Sequence, residues 1–254
     1  MSDVAAPSVG EVAGRLAAIR ERIVGAGGDP SRIAIVAVTK GQGPEAVRAA
    51  LGAGLVEIGE NYAAELLGKI DALEDVDLVT VRWHFLGAIQ RNKIPRLAPV
   101  VSCWQGVSRI EEAIAIGRRR PGAEIFVEVS TAGDPSRPGC SPADAPQVVE
   151  AARAANCQVR GLMTVAPLPD QASDAPAGRP SGTAAGHHGD RAAESFGTVA
   201  ELARQLGLSE LSMGMSEDLE QAVEAGTTMI RVGRALFGER HGQGPREPAS
   251  GLQQ

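Results

Sequence analysis

Lys40 is the side chain with the widest chemical reach in this chain. Lysine is scarce: Lys40, Lys69 and Lys93 are the only three in 254 residues, and arginine supplies the other 22 positive charges. Lys40 follows the apolar run Ile33-Ala34-Ile35-Val36-Ala37-Val38 and precedes Gly41. An unbroken aliphatic run of this kind reads as a strand buried on both faces. A lysine amine can lose its proton and attack a carbonyl, whereas a guanidinium cannot. Two readings compete at this point. Lys40 is a Schiff-base lysine at the mouth of a buried strand, or a strand-end lysine whose stem lies along the strand while its ammonium reaches water.

A second group of residues could bind an anion. Met213-Gly214-Met215-Ser216 leaves a strand and opens a helix, so Ser216 reads either as a plain N-cap or as a hydroxyl donor in an anion site. The next strand ends Arg231-Val232-Gly233-Arg234. Barrels bind phosphate in the loops after their last two strands, which is where both segments fall. Arg231, inside that strand, needs a partner: an internal carboxylate such as Glu57 or Glu60, or a ligand acceptor. Asn61 reads as a helix N-cap after a strand. His84, between Trp83 and Phe85, reads first as a hydrogen-bonded core histidine. His187-His188 near Asp190 sits in too irregular a segment to hold a metal. Arg118-Arg119-Arg120 suits a solvated helix C-terminus.

Those residues need a frame, and the periodicity of the chain supplies one. Ser8 and Glu11 form a capping-box pattern ahead of Val9, Val12, Leu16, Ile19 and Ile23, a helix ending near residues 25–28. The strand before Lys40 follows. Pro44 opens a helix that stops at 52–54. Further strands are expected at 55–59, 82–86, 100–102, 124–130, 159–164, 211–213 and 228–232. Helices are expected at 61–73, 90–97, 110–117 (closed by Gly117), 141–155, 194–206 and 216–225. Residues 168–191, rich in Pro, Ala, Gly and Asp, read as a mobile inserted loop, and 241–254 as a disordered tail. Strand and helix alternate about eight times behind one extra helix. This favours a single (β/α)8 TIM barrel over residues 8–240, with a doubly wound sheet as the alternative. Lys40, Asn61, His84, Thr164, Ser216 and Gly233 then all fall at or just past C-terminal strand ends, where barrel chemistry gathers.

Composition narrows the function further. A net charge of −6 and pI near 5.3 argue against nucleic-acid binding. No apolar stretch approaches the roughly 20 residues of a membrane span. The first ten residues carry no basic residue and no hydrophobic signal core, so a cytoplasmic protein is expected. Cys103, Cys140 and Cys157 lack metal-ligand spacing and fit free thiols in a reducing compartment.

In order, these segments resemble the YggS/PROSC family of pyridoxal 5′-phosphate (PLP) homeostasis proteins. The match is carried by Ala37-Val38-Thr39-Lys40, Gly59-Glu60-Asn61-Tyr62, Trp83-His84-Phe85-Leu86-Gly87 with Gln90 and Asn92-Lys93, and Gly161-Leu162-Met163-Thr164. It continues through Leu211-Ser212-Met213-Gly214-Met215-Ser216 with Asp218-Leu219, and Ile230-Arg231-Val232-Gly233 to Phe237-Gly238. It covers about residues 10–240. The resemblance implies a barrel of the alanine racemase N-terminal type (PLP fold type III) and PLP held as an internal aldimine on Lys40. It places the phosphate on Ser216 and the backbone amides of Gly233 and Arg234, and Arg231 beside the pyridine nitrogen. Asn61, His84, Met163 and Ser212 fall at pocket positions.

The chain departs from the family in three places. Gly41-Gln42-Gly43-Pro44 replaces the usual lysine-proline pair, Ser102-Cys103-Trp104-Gln105 lacks the usual histidine-serine-valine-aspartate-like pattern, and 167–191 is longer than the common form. An arginine at the pyridine nitrogen disfavours its protonation and weakens the cofactor as an electron sink. Racemases of this type compensate with a second base and an additional dimerising domain. The length past the last strand leaves no room for such a domain, and no residue in the sequence stands out as that base. The expectation is therefore a monomeric, non-catalytic PLP carrier or buffer that serves apo PLP-dependent enzymes. Weak amino-acid racemisation is the alternative. A third reading, a sugar-phosphate enzyme without PLP, would rest on Glu60 and Asp218.

Overall fold

Eight parallel strands close into a barrel in strict sequence order, β1-β2-β3-β4-β5-β6-β7-β8, with β8 returning to pair with β1. The structure is a computed structural model that describes residues 6–74, 76, 78–132, 137–167 and 184–238, without the side chains of 184–188. The strands are β1 (Ala34–Val38), β2 (Glu57–Glu60), β3 (Arg82–Phe85), β4 (Val101–Val107), β5 (Glu124–Glu128), β6 (Gln158–Met163), β7 (Glu210–Ser212) and β8 (Met229–Val232). The helices are α1 (Val9–Gly25), α2 (Pro44–Gly52), α3 (Ala63–Ala72), α4 (Ile94–Leu97), α5 (Ile110–Arg119), α6 (Ala145–Ala154), α7 (Ala184–Gln205), α8 (Leu219–Glu224) and α9 (Arg234–Phe237). None among the described residues is long and apolar enough to cross a membrane.

Strand alternation sorts side chains into two cores. Val36, Val38, Cys103, Phe126, Met163 and Met229 fill the barrel interior. Ile35, Ala37, Ile58, Trp83, Phe85, Trp104, Ile125, Val127, Leu162 and Ile230 pack outward against the helices. Phe85 meets Trp104 edge-to-face, with ring centroids 5.8 Å apart. α1 is the extra helix of the sequence. Its Ser8 capping box forms as read, its buried face is Val12, Leu16, Ile19 and Ile23, and it packs on α2, α8 and α9. It thus spans the seam where the last strand meets the first.

Several boundaries differ from the sequence reading, each for a local reason. β4 runs to Val107 rather than Ser102, an extension hidden in the sequence by a Cys103-Trp104-Gln105-Gly106 stretch with few β-formers and a register irregularity. α5 continues to Arg119, so Gly117 is no terminator. A Cβ there would lie 2.1 Å from the carbonyl oxygen of Ala155, and glycine is what lets α5 lie against the end of α6. α3 starts at Ala63 behind Tyr62, so Asn61 is not its N-cap. At α8 the N-cap position falls on Asp218 rather than Ser216. α7 begins at Ala184, which places 184–191 in a helix where a loop was expected. The remainder of that expected loop, 168–183, and the expected tail, 241–254, lie outside the described residues.

Candidate functional site

A cavity of 310 Å³ opens at the C-terminal end of the strands, within the size range of small-ligand sites. Seven of the nine residues singled out from sequence line it: Lys40, Asn61, Met163, Ser216, Arg231, Gly233 and Arg234. His84 and Ser212 do not. Both lie in the barrel interior beneath the cavity, within a hydrogen-bonded chain that begins at Arg231. Glu128, Gln42 and Asp218 line the cavity as well.

The backbone around Lys40 is clamped from behind. Thr39 and Gly41 flank it, and Gly41 has φ +71°, a left-handed turn that glycine adopts without strain. The Gly41 amide donates to Glu65 Oε2 at 2.8 Å. The Thr39 hydroxyl donates to Glu60 Oε1 at 2.5 Å. Lys69 reaches in from α3, donating to the Thr39 carbonyl oxygen at 2.7 Å and to Glu60 Oε1. Glu60 and Lys69 are both buried. Burial pushes the Glu60 carboxyl upward, with the Lys69 ammonium and Thr39 hydroxyl opposing that shift. This cluster rules out two sequence-level roles for Glu60. It faces α3 rather than Arg231, and it is committed to Lys69 rather than exposed to a substrate. Lys69 was not legible as a buried partner, because a lysine four residues after Glu65 reads as an ordinary helix-surface pair.

Arg231 is buried and has neither expected carboxylate as its hydrogen-bond partner. Nη1 donates to the carbonyl oxygen and the hydroxyl of Ser212 at 2.6 and 2.7 Å, and Nη2 donates to the Thr164 carbonyl at 2.7 Å. Three of five guanidinium donors are thereby used. Burial pulls its pKa down to about 10, with Asp218 and Glu128 opposing. The two loops after β7 and β8 are tied together: the Ala235 amide donates to Ser216 Oγ at 3.3 Å, and Arg234 pairs with Glu217. Asp218 Oδ1 accepts the Met215 amide at 2.6 Å.

Glu128 was not read from the sequence. It ends β5, four strands from β1 by either route around the barrel, and therefore lies across the mouth from the Lys40 strand. Burial pushes its carboxyl up to about 7, opposed by Arg231. The alternation of β5 was visible, but which face pointed into the barrel was not.

The donor set fits a phosphorylated aldehyde of modest size. An amine, a hydroxyl and an arginine converge on one cavity, and Asn61 Oδ1 is buried there with no hydrogen-bond partner in the protein. The comparisons with known proteins agree. The sequence profile of the alanine racemase N-terminal domain family matches residues 13–241. A pyridoxal phosphate homeostasis protein of Pseudomonas aeruginosa is 38% identical over 92% of this chain and 95% of its own. One from Deinococcus radiodurans is 36% identical over 87% of this chain and 97% of its own.

This chain belongs to the pyridoxal phosphate homeostasis protein family.

The structural likeness to the family is equally broad. PipY of Synechococcus elongatus, solved with PLP bound, superimposes with a TM-score of 0.71 at 31% identity, covering 89% of this chain and all of PipY. Alanine racemase of Clostridium difficile shares the barrel at 14% identity and a TM-score of 0.69, and this chain spans 61% of its length. The fold is thus the alanine racemase N-terminal barrel, as the family resemblance implied.

Proposed function

We propose that this protein binds PLP reversibly through Lys40 and acts in the cytoplasm as a monomeric PLP carrier or buffer, supplying apo PLP-dependent enzymes. The observation that carries this reading is the convergence on one open cavity of Lys40 from β1, Ser216 after β7, and Arg231, Gly233 and Arg234 from the end of β8. The PLP-bound form of PipY and the names of the curated relatives support it.

When bound, PLP supplies an electrophilic aldehyde, an aromatic ring and a phosphate. Each part has a counterpart in the chain. Lys40 would hold the aldehyde through its amine, a reversible tether that needs no other reactant. Ser216 and the amides of Gly233 and Arg234 would hold the phosphate. Arg231 would offer its remaining donors to the ring nitrogen, and a cation there would disfavour ring protonation and suit holding over turnover. Asn61 and Met163 complete the wall. His84 and Ser212 act from beneath.

The test is direct. The purified protein loaded with PLP is expected to show a visible absorption band that borohydride converts to a permanent adduct on the Lys40 peptide. Absence of the band, or an adduct that persists in Lys40→Ala, would refute the assignment. A second reading, slow turnover of amino acids, is favoured by Glu128, which offers an acid–base group across the mouth from Lys40. Steady loss of optical purity of single-enantiomer alanine, abolished by Glu128→Gln, would establish it. Unchanged optical purity leaves the carrier reading alone.

A further inference from the structure

A chain of hydrogen bonds crosses the barrel interior from the cavity to the opposite end. Arg231 Nη1 donates to Ser212 Oγ at 2.7 Å, Ser212 Oγ donates to Gln105 Oε1 at 2.6 Å, and Gln105 Nε2 meets His84 Nδ1 at 2.6 Å. His84 Nε2 then meets Glu57 Oε2 at 2.5 Å. Ser212, Gln105, His84 and Arg231 are all buried.

The polarity of the chain is set by its ends. A guanidinium can only donate, and an ionised carboxylate can only accept. Burial works to raise the Glu57 carboxyl, but His84 and Arg82 outweigh it and hold the group low, so it stays ionised near neutral pH. Ser212 must accept from Arg231, so its one proton goes to Gln105 Oε1. That fixes the amide with Nε2 toward His84, where it also lies 3.1 Å from Met229 Sδ. His84 must then accept at Nδ1 and carry its proton at Nε2 for Glu57. Breaking a link leaves the Ser212 proton unfixed, so the hydroxyl can turn away from its acceptor role and leave Arg231 held by the two backbone carbonyls alone.

We infer that Gln105 and His84 are positioning residues for Arg231, holding the face of the guanidinium that meets the ring of the bound cofactor from a ligand-free anchor, Glu57, at the far end of the barrel. The inference rests on the PLP reading above, because it concerns the ring contact. It also gives Gln105, a departure from the family pattern on β4, a defined task.

The test reads the visible band of PLP-loaded protein and the rate at which PLP passes to an apo acceptor enzyme. Gln105→Leu removes the central link. Glu57→Ala removes the anchor, touches no cavity residue and, being half-buried at the floor, remains foldable if the core variant does not. Both are expected to shift the band and speed release about tenfold, equivalent to 1.4 kcal/mol. Two controls separate positioning from general loosening. Trp104→Phe alters the neighbouring β4 residue on the outer face, where the indole nitrogen has no partner to lose. Glu210→Ala alters another floor carboxylate outside the chain. Both are expected to keep the parent band and rate. A parent-like band and rate in a folded Gln105→Leu or Glu57→Ala protein overturns the inference, as does an equal shift in either control. Absence of the band in the unsubstituted protein instead overturns the PLP reading.

Discussion

The two ends of the barrel use charge in opposite ways. At the N-terminal floor, Glu57, Arg82, Glu124, Arg160 and Glu210, from five strands, alternate in sign. Arg82 bridges Glu57 and Glu124, and Arg160 bridges Glu124 and Glu210, with contacts of 2.7–3.2 Å. Each of these five charges has a protein counterpart. At the C-terminal mouth, Lys40, Arg231, Arg234 and Glu128 line a cavity, and a buried amide oxygen of Asn61 has no partner. The floor joins its charges to one another across the strands, whereas the mouth arranges its charges around an open cavity with a buried amide oxygen left for a ligand, a distinction that motif spacing cannot supply.

The strongest way to break this contrast is at the mouth. Lys40→Ala is expected to abolish borohydride-fixable PLP while leaving the thermal midpoint of the apo protein within a few degrees, measured by adduct mass and calorimetry. Behind the mouth, Lys69→Met strands the buried Glu60 carboxylate. It is expected to cost about 3–5 kcal/mol in denaturant unfolding and to weaken PLP retention through the loosened Thr39–Gly41 backbone.

The pH dependence should differ in sign between the ends. The Glu128 carboxyl is raised from 4.5 to about 7, so the folded state holds its proton more tightly than the unfolded chain does. Its contribution is full below about pH 4.5 and is lost as pH rises through 7, up to about 3 kcal/mol. Glu57 is lowered, so its contribution is present above the unfolded value and is lost on acidification. Urea unfolding between pH 5 and 8 should slope downward in the parent protein and flatten in Glu128→Gln. The smallest effect is expected from Glu124→Ala at the floor. Its arginine partners keep other carboxylates and are 29–41% exposed, so the loss should be about 1 kcal/mol or less and shrink in high salt.

How much of this was legible in the sequence follows from what each signal measures. The strands were visible where buried parallel strands are aliphatic runs, as in β1, and from their regular alternation with helices elsewhere, and Lys40 was visible because lysine is rare here. The loops after β7 and β8 were visible from their glycines and serine. The partners were not. Arg231 finds backbone carbonyls of two neighbouring strands, and no sequence pattern reports which carbonyls face an axis. Lys69 is buried because α3 turns that face to β2, which its i,i+4 spacing with Glu65 disguises as a surface pair. Gln105 sits on an irregular strand whose composition reads as a loop. Gly117 looked like a helix stop and is instead a contact point between two helices.

The pairing of β1 with β8 places Ile35 beside Ile230 and Val36 beside Arg231. During synthesis, the strand that carries Lys40 lacks one of its two neighbours until the last strand has left the ribosome. Arg231 and Gly233 arrive in that same final stretch. Chains ending before β8 therefore lack the Arg231 and Gly233 wall of the cavity that Lys40 lines, and under the proposed tether the complete PLP site exists only once β8 is in place.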